Sequence, residues 1–172
     1  MDADFLLIRK MKQGDEDAID IFVRGYYPDI LNYCSHHCKD REWAEDLTQE
    51  TFVRFFQHLD TYRHLGKAKN YLYTIAANLC RDHYKKAAEI PMDQLPEPEV
   101  NQSQEVQNKL FVEWALGRLP TELREVVILY YFHDMKLKDI AGILQIGLPL
   151  VKYRIKRAKA QLEELFREEE SV

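Results

Sequence analysis

Apolar residues recur along this chain mostly three or four positions apart, which is the spacing of one face of an α-helix. The clearest example lies in residues 136–162, where a first short helix has an apolar face made of Ile140, Ala141 and Leu144. A second helix repeats its apolar residues at four-three-four spacing: Val151, Ile155, Ala158 and Leu162. Residues 145–147 are left for the turn, and Pro149 fits the first turn of the second helix, where its missing N–H costs little. The pattern predicts a helix-turn-helix.

The same spacing predicts helices in the first half of the chain, and no segment shows the sustained period-two alternation of a strand. A short helix is expected over residues 5–11 and a second over residues 18–38, which Pro28 either ends or kinks. Asp40 is suited to cap a third helix. The predicted buried face of that helix is Trp43, Ala44, Leu47, Phe52, Val53, Phe56 and Leu59. The predicted fold class is all-α.

The composition changes between residues 88 and 107, where three prolines and several acids occur without any Lys or Arg. Such a stretch is typical of a linker. Beyond it, helices are predicted over residues 104–118 and from Thr121, as the capping residue, to Phe132. The chain is therefore predicted to consist of an N-terminal helical domain (1–88), a flexible acidic linker (89–108) and a C-terminal helix-turn-helix domain (109–172).

Composition and charge restrict the class of protein. The 172 residues are 46% hydrophobic, enough for one ordinary domain or two small ones. Lys and Arg number 24 against 29 Asp and Glu, a formal charge of −5, so affinity for nucleic acid must come from local patches. No run of about eighteen apolar residues occurs and the chain starts with acids, so we expect a cytoplasmic protein.

One such patch is the outer face of the second helix of the predicted helix-turn-helix. Residues 149–160 contain five Lys or Arg and no Asp or Glu. A basic helix of this kind suits the major groove of DNA, although an ordinary helical hairpin with a solvated basic face is the alternative. The charge asymmetry favours DNA binding. The candidate DNA-binding residues are Pro149, Lys152, Tyr153, Arg154, Lys156 and Arg157.

A second basic stretch covers residues 62–86, with tyrosines at Tyr62, Tyr71, Tyr73 and Tyr84. Cations hold a nucleic-acid backbone and aromatic rings stack on unpaired bases, so the stretch suits single-stranded nucleic acid. In the alternative, some of these tyrosines face the core. Periodicity predicts at least one outward tyrosine and four inward residues: Leu72, Ile75, Ala76 and Leu79.

The third helix carries an acidic and amide strip, Glu42, Glu45, Asp46, Gln49 and Glu50, which is ordinarily a solvated face.

Cys34, His37 and Cys38 share one face of a helix, where three soft ligands would need a fourth to hold zinc. A helix end with buried cysteines and exposed histidines is the favoured interpretation, so no metal or cofactor is predicted. A disulfide between Cys34 and Cys38 is disfavoured, because one helical turn holds their Cβ atoms about 5–6 Å apart. No paired nucleophile and base and no phosphate-binding glycine loop are found, so we expect neither an enzyme nor a small-molecule substrate.

Several motifs occur in order along the chain. They are Glu45-Asp-Leu-Thr-Gln-Glu-Thr-Phe52, Tyr71-Leu-Tyr-Thr-Ile-Ala-Ala-Asn78 with Asp82, and Leu119-Pro with Arg124-Glu-Val-Val-Ile-Leu-Tyr-Tyr-Phe132 before the helix-turn-helix. Together they resemble the extracytoplasmic-function group of bacterial sigma factors over nearly the whole chain. The resemblance implies a promoter-specificity subunit that binds core RNA polymerase and starts transcription at promoter DNA.

The resemblance also implies roles for individual residues. Polymerase docking, on the clamp coiled coil of the largest subunit, falls to Asp46, Leu47, Gln49, Glu50 and Phe52. Capture and opening of the minus-ten element fall to Arg63, Lys67, Lys69, Asn70, Tyr71, Asn78, Arg81 and Lys85. The acidic linker would follow the RNA path of the polymerase, and the helix-turn-helix would bind the minus-thirty-five duplex. Such factors are commonly held by an anti-sigma partner, often membrane-anchored.

The chain departs from the family pattern at several positions. Tyr71 replaces the usual tryptophan and Ala77 the usual arginine. In the turn, Gln145 replaces a glycine at a position that often needs positive φ, while Gly147 and Leu150 replace a serine and a threonine. A stand-alone helix-turn-helix regulator is the alternative function, but it leaves the basic aromatic stretch and the acidic linker without a role.

Overall fold

The computed structural model describes the backbone of residues 3–87 and 104–170 and the side chains of residues 3–85 and 110–170. Within these ranges every regular element is helical, so the predicted all-α class is confirmed. The helices are α1 (Ala3–Lys12), α2 (Glu16–His37), α3 (Arg41–Gln57), α4 (Ala68–Ala87), α5 (Gln104–Arg118), α6 (Thr121–Val127), α7 (Leu137–Leu144) and α8 (Leu148–Glu170). A 3-10 turn, Leu59–Thr61, follows α3, and a π turn, Ile128–Phe132, continues α6. None of the described helices combines the length and apolarity that crossing a membrane requires.

The chain divides into two compact units. The first holds the described residues up to Asp82 together with Gly142–Leu144, and the second holds those between His83 and Ala141 and from Gln145 onward. Most of the predicted linker, residues 89–103, lies outside the described residues, while its end from Gln104 belongs to α5. The predicted domain boundaries therefore stay predictions.

Capping aspartates begin α2 and α3 in the first unit. Asp15 accepts a hydrogen bond from the Ala18 N–H ahead of α2, and Asp40 accepts one from the Glu42 N–H ahead of α3, as predicted for Asp40. α2 runs through Pro28 without ending there, so of the two predicted outcomes a helix end at this proline is wrong. The core of the unit contains large side chains from three helices: Phe22, Ile30, Tyr33, Phe55, Leu72 and Tyr73.

The buried face of α3 differs from the predicted one. Trp43 and Val53 were expected inside, but they are 46% and 48% exposed. Thr48 and Thr51 are buried in their place, because each hydroxyl donates to the carbonyl four residues earlier at 2.7 Å and so needs no water. Phe55, which the sequence prediction omitted, is fully buried and stacks on Phe22 with ring centroids 4.9 Å apart.

In the second unit, α6 packs on α8. The predicted helix from Thr121 to Phe132 is present, although its last part is the π turn. The prediction that Thr121 caps this helix is wrong. Thr121 is the first helical residue, and the carbonyl of Pro120 before it accepts from the N–H groups of Leu123 and Arg124, both at 3.0 Å. Proline supplies the extended conformation that begins the helix without any side-chain cap.

The turn between α7 and α8 has the predicted location. Gln145 ends α7 in the left-handed region, with φ 57° and ψ 45°, which confirms the positive φ expected at this position. The N–H of Ile146 then reaches the carbonyl of Ala141 at 3.1 Å. α8 begins at Leu148, with Pro149 as its second residue, as predicted.

Candidate functional surfaces

The exposed face of α3 combines acidic and apolar side chains. At about 100° per residue, Trp43, Asp46, Glu50 and Val53 fall on one side of the helix, opposite the buried Thr48. We call these four residues the α3 stripe. Each is exposed in the first unit, and Glu50 is also joined to Arg54 by an ion pair of 3.1 Å. The stripe is a narrow surface with an aromatic side chain at one end and carboxylates along its length.

The residues predicted for polymerase docking occupy different positions on α3. Asp46, Gln49 and Glu50 are exposed, and Leu47 is half-buried. Phe52 is only 5% exposed, and its ring stacks on Tyr27 with centroids 6.0 Å apart. The structure thus places Phe52 in the core beneath the helix, where it supports the surface without being part of it.

Trp43 and Val53 belong to the surface and were missed by sequence reasoning. They were assigned to the core because they are apolar, although their spacing places them on the same face as charged residues. Trp43 stands three residues before Asp46, and Val53 three residues after Glu50, so each shares a helical face with a carboxylate. An exposed tryptophan beside charged residues is typical of a protein interface.

The segment before α4 and the start of α4 present the predicted minus-ten residues. Arg63 and Lys67 are exposed, and Leu65 between them is 90% exposed. Lys69 is half-buried and lies 3.0 Å from a carboxylate oxygen of Asp29, so part of its charge is satisfied within the unit. The remaining predicted residues range from half-buried to exposed: Asn70, Tyr71 and Arg81 are half-buried, and Asn78 and Lys85 are exposed.

The tyrosines of this region are divided between core and surface. Tyr73 is fully buried against Tyr33, at 5.5 Å between ring centroids, and burial raises the pKa of its hydroxyl well above the usual value. The rings of Tyr62 and Tyr71 are tilted to each other with centroids 5.0 Å apart, and both side chains are half-buried. Tyr84 is also half-buried, so three of the four tyrosines are partly exposed, and to that extent the prediction of at least one outward tyrosine is met.

The inward side of α4 agrees with the prediction except at one residue. Leu72, Ala76 and Leu79 are buried, while Ile75 is half-buried. Ala77, where the family pattern has an arginine, is 1% exposed.

The outer face of α8 is basic at its beginning and acidic at its end. Pro149, Lys152, Lys156 and Arg157 are exposed, and Tyr153 is 61% exposed. The second half of the helix instead presents exposed carboxylates: Glu163, Glu164, Glu168, Glu169 and Glu170. The basic candidates therefore share one continuous surface that ends where the acids begin.

Arg154, the remaining candidate of α8, has a different environment. Its side chain is 17% exposed, and a guanidinium nitrogen lies 3.8 Å from a carboxylate oxygen of Glu122 on α6. The apolar side of α8 agrees with the prediction, since Val151 and Ala158 are buried and Ile155 and Leu162 half-buried. Arg154 borders this side and connects α8 to α6.

The cysteine cluster of the first unit has no metal-binding geometry. Cys34 and Cys38 are buried as expected, but His37 is also buried, at 4% exposure, so the expectation of exposed histidines is wrong there. The Cys80 thiol donates to the Cys34 sulfur at 3.8 Å, which lowers the pKa of Cys34, while burial raises that of Cys38 to about 12. Among the described residues, no group of three or more His, Cys, Asp or Glu is placed to hold a metal ion.

Two protein-family models match the chain. The first is described as Sigma-70 region 2 and matches residues 22–90, and the second is Sigma-70, region 4 and matches residues 113–162. The chain is 30% identical to the ECF RNA polymerase sigma factor SigW of Bacillus subtilis, over 94% of this chain and 95% of the relative. It is also 30% identical to the ECF RNA polymerase sigma factor SigM of the same bacterium, over 87% and 95% of the two chains.

Solved structures show the same fold. CnrH in complex with the cytosolic domain of CnrY has a TM-score of 0.77 at 24% identity, over 96% of this chain and 98% of that one. The sigma factor RpoE in complex with the anti-sigma factor NepR, from Bartonella quintana, has a TM-score of 0.69 at 22% identity, over 87% and 96%. The chain belongs to the extracytoplasmic-function group of RNA polymerase sigma factors. It is a promoter-recognition factor of transcription initiation, and the family predicted from its motifs is confirmed.

Proposed function

We propose that the chain divides its sigma-factor function among three surfaces, of which the α3 stripe binds core RNA polymerase. The observation that carries this assignment is the exposure of Trp43 and Val53 beside Asp46 and Glu50. Apolar groups exposed to this extent gain free energy when a partner covers them, and the carboxylates restrict the choice to a partner with basic groups. By family analogy, that partner is the clamp coiled coil of the largest polymerase subunit.

The second surface engages the minus-ten element. Arg63 and Lys67 provide exposed cations ahead of α4, and Asn78 is exposed on the helix in the same unit, while Lys85 is an exposed cation of the second unit. Tyr71 is half-buried beside Tyr62, with ring centroids 5.0 Å apart. Unpaired bases are held here by the exposed cations and the exposed segment around Leu65.

The third surface is the basic half of α8, which binds the minus-thirty-five duplex. Lys152, Tyr153, Lys156 and Arg157 lie on one exposed face of a helix whose opposite face is buried. Phosphate contacts from these cations position the helix in the major groove. Arg154 contributes through its ion pair with Glu122, which holds α8 on α6.

We further propose that the chain acts in the cytoplasm, where it needs no cofactor and catalyses no reaction of its own. Membership of a sigma-factor family supports this, because the chemistry of transcription belongs to the polymerase. An anti-sigma factor is a proposed second partner. In the RpoE structure, a protein of the same fold is bound to such a factor.

The polymerase assignment is tested by two double variants of α3. Asp46→Ala with Gln49→Ala removes polar contacts, and Trp43→Ala with Val53→Ala removes the apolar ones. Each should weaken binding to core polymerase at least tenfold, about 1.4 kcal/mol, because every altered side chain is exposed and its partner group would be left unpaired. The matched control is Arg41→Ala, an exposed residue of the same helix that is not three or four residues from any altered side chain.

Binding is measured by titration with core polymerase, and circular dichroism verifies the fold. Since the altered residues are exposed, folding stability should change little. A folded variant pair that binds core polymerase and starts transcription as well as the wild type would contradict the assignment of the α3 stripe.

A further inference from the structure

Helix α1 has no role in the surfaces described above. It covers Ala3–Lys12, whereas the matched family regions cover residues 22–90 and 113–162. Two of its residues, Ile8 and Met11, are buried and fix it to the first unit. These two residues account for the attachment of α1 to the unit. They do not account for the contacts that its other side chains make.

The C-terminal end of α1 contacts the segment that precedes α4. The ammonium group of Lys12 donates a hydrogen bond to the backbone carbonyl of Tyr62 at 2.6 Å, fifty residues away in the sequence. That carbonyl belongs to the planar peptide group that joins Tyr62 to Arg63. Because the peptide group is rigid, holding the oxygen also fixes the direction in which the chain enters Arg63.

A second contact from α1 reaches the same segment. The ring of Phe5 lies 6.5 Å from that of His64, between centroids. Nδ1 of His64 lies 3.2 Å from the Tyr62 hydroxyl, and the Tyr62 ring contacts that of Tyr71 on α4, with centroids 5.0 Å apart. The segment is thus held from α1 on one side and from α4 on the other, while Leu65 remains 90% exposed.

We propose that α1 positions the minus-ten segment, residues 62–67, with Lys12 as the principal positioning residue and Phe5 as the second. This inference rests on the proposed function, in which that segment engages the minus-ten element. A segment that is fixed before DNA arrives loses less conformational entropy on binding. Arg63 is then already directed outward when the duplex opens.

The test uses the complete chain in holoenzyme with core polymerase. Promoter opening is followed by the fluorescence of 2-aminopurine placed in the minus-ten element. Lys12→Met should slow opening about fivefold, the effect of losing one hydrogen bond of about 1 kcal/mol at an exposed position. Lys12→Arg should restore it, because a guanidinium can reach the same carbonyl. Lys10→Met is the matched control, since Lys10 is an exposed lysine of the same helix.

Phe5→Ala is the second variant and should slow opening in the same way. Affinity for core polymerase should be unchanged in every α1 variant. Opening at the wild-type rate in both Lys12→Met and Phe5→Ala would overturn the inference. Equal slowing by Lys10→Met, or a loss of core binding, would also overturn it, because α1 would then act through general charge or docking.

A separate pair of substitutions distinguishes failure of this inference from failure of the proposed function. Arg63→Ala with Lys67→Ala alters the minus-ten segment itself and leaves α1 intact. If this double variant opens the promoter slowly while the α1 variants behave as wild type, the minus-ten assignment holds and the role of α1 is wrong. If the double variant opens the promoter at the normal rate, the minus-ten assignment is wrong.

Discussion

Arg124 shows how one buried charged residue can organise an element junction. It is 2% exposed, its Nε donates to the carbonyl of Leu116 at 2.8 Å, and one terminal nitrogen donates to that of Leu119 at 2.7 Å. Leu116 lies in the last turn of α5 and Leu119 directly follows the helix, where few backbone donors remain. The Leu116 carbonyl also accepts from the N–H of Leu119 at 3.2 Å, so Arg124 is its second donor. Burial lowers the pKa of Arg124 from its ordinary value. The sequence contained this residue within a family motif but offered no signal of its structural role.

Replacing Arg124 by methionine should lower the free energy of unfolding of the second unit by about 3 kcal/mol, because the carbonyl of Leu119 loses its donor at 2.7 Å and that of Leu116 keeps only the N–H of Leu119, at 3.2 Å. The chain has two tryptophans, and Trp114 lies in the second unit. In a Trp43→Phe background, urea unfolding followed by Trp114 fluorescence therefore reports on this unit alone. Arg124→Lys serves as the comparison. It should lower the free energy of unfolding by less than Arg124→Met does, since lysine supplies donors without the guanidinium geometry. Equal stability of Arg124→Met and the parent would show that the carbonyls need no side-chain donor.

Substitution of Gln145 should change the free energy of unfolding in the opposite direction. Its left-handed conformation costs an L-residue about 1–2 kcal/mol, whereas glycine adopts it without strain. Gln145→Gly should therefore raise the free energy of unfolding of the second unit by about 0.5–1 kcal/mol, after the greater entropy of unfolded glycine is included. The same Trp114 measurement applies. Lys159→Gly, at an exposed interior position of α8, should lower stability by about 1 kcal/mol. A loss of stability in both variants would contradict the prediction.

At the scale of elements, the helices were predictable from the sequence because apolar spacing and caps act locally. Residues 104–118, for example, were predicted as a helix and form one, and Asp40 caps α3. Burial on α3 was less predictable. Hydropathy places Trp43 inside and Thr48 outside, but the hydroxyl of Thr48 is satisfied by its own helix and Trp43 is exposed. Apolar residues occur both in protein interfaces and in cores, so hydropathy alone does not distinguish an interface residue from a core residue.

The candidate sites were predictable to a smaller extent. The exposed basic residues of α8 could be identified because charged side chains avoid burial. Arg154 shows the limit of this rule, since a carboxylate on another helix, Glu122, lies 3.8 Å from its guanidinium. Lys12 shows the same limit, because nothing in the sequence relates it to Tyr62. Contacts between distant segments follow from the packing of whole helices and leave no local pattern.

The basic half of α8 leads to a prediction about DNA. Lys156→Glu and Arg157→Glu should each weaken binding of minus-thirty-five duplex by the holoenzyme and make it less dependent on salt, because phosphate contacts release counterions. Binding to core polymerase should be unchanged. Arg167→Glu, the same change of charge in the acidic half of the helix, is the matched control. Wild-type affinity and salt dependence in both basic-half variants would show that this face is misassigned.

At the scale of the whole molecule, basic residues are concentrated although the net charge is −5. Such a chain has little long-range attraction for DNA, so its basic surfaces act at short range. Docking on polymerase brings the surfaces close to a promoter before any base is read. The acidic composition of residues 88–107 reduces the overall attraction further without affecting the local patches.

The proposed domain boundaries predict the result of brief proteolysis. Residues 89–107 combine prolines and acids, a composition typical of a linker, so cleavage should occur there first and leave two protected fragments. Because Lys and Arg are absent from this stretch, the protease must cut after acidic or apolar residues, and the fragments can be identified by mass. First cuts within α3 would contradict the proposed division.

The order of charges along α8 opposes the electrical polarity of the helix itself. A helix is electropositive at its start and electronegative at its end, yet α8 has no acid in its first turn and finishes with Glu168, Glu169 and Glu170. Dissolved ions screen this internal repulsion and also screen the attraction to phosphate. Higher salt therefore stabilises the α8 helix and weakens its attraction to DNA at once. Salt concentration thus acts on this one helix with opposite signs.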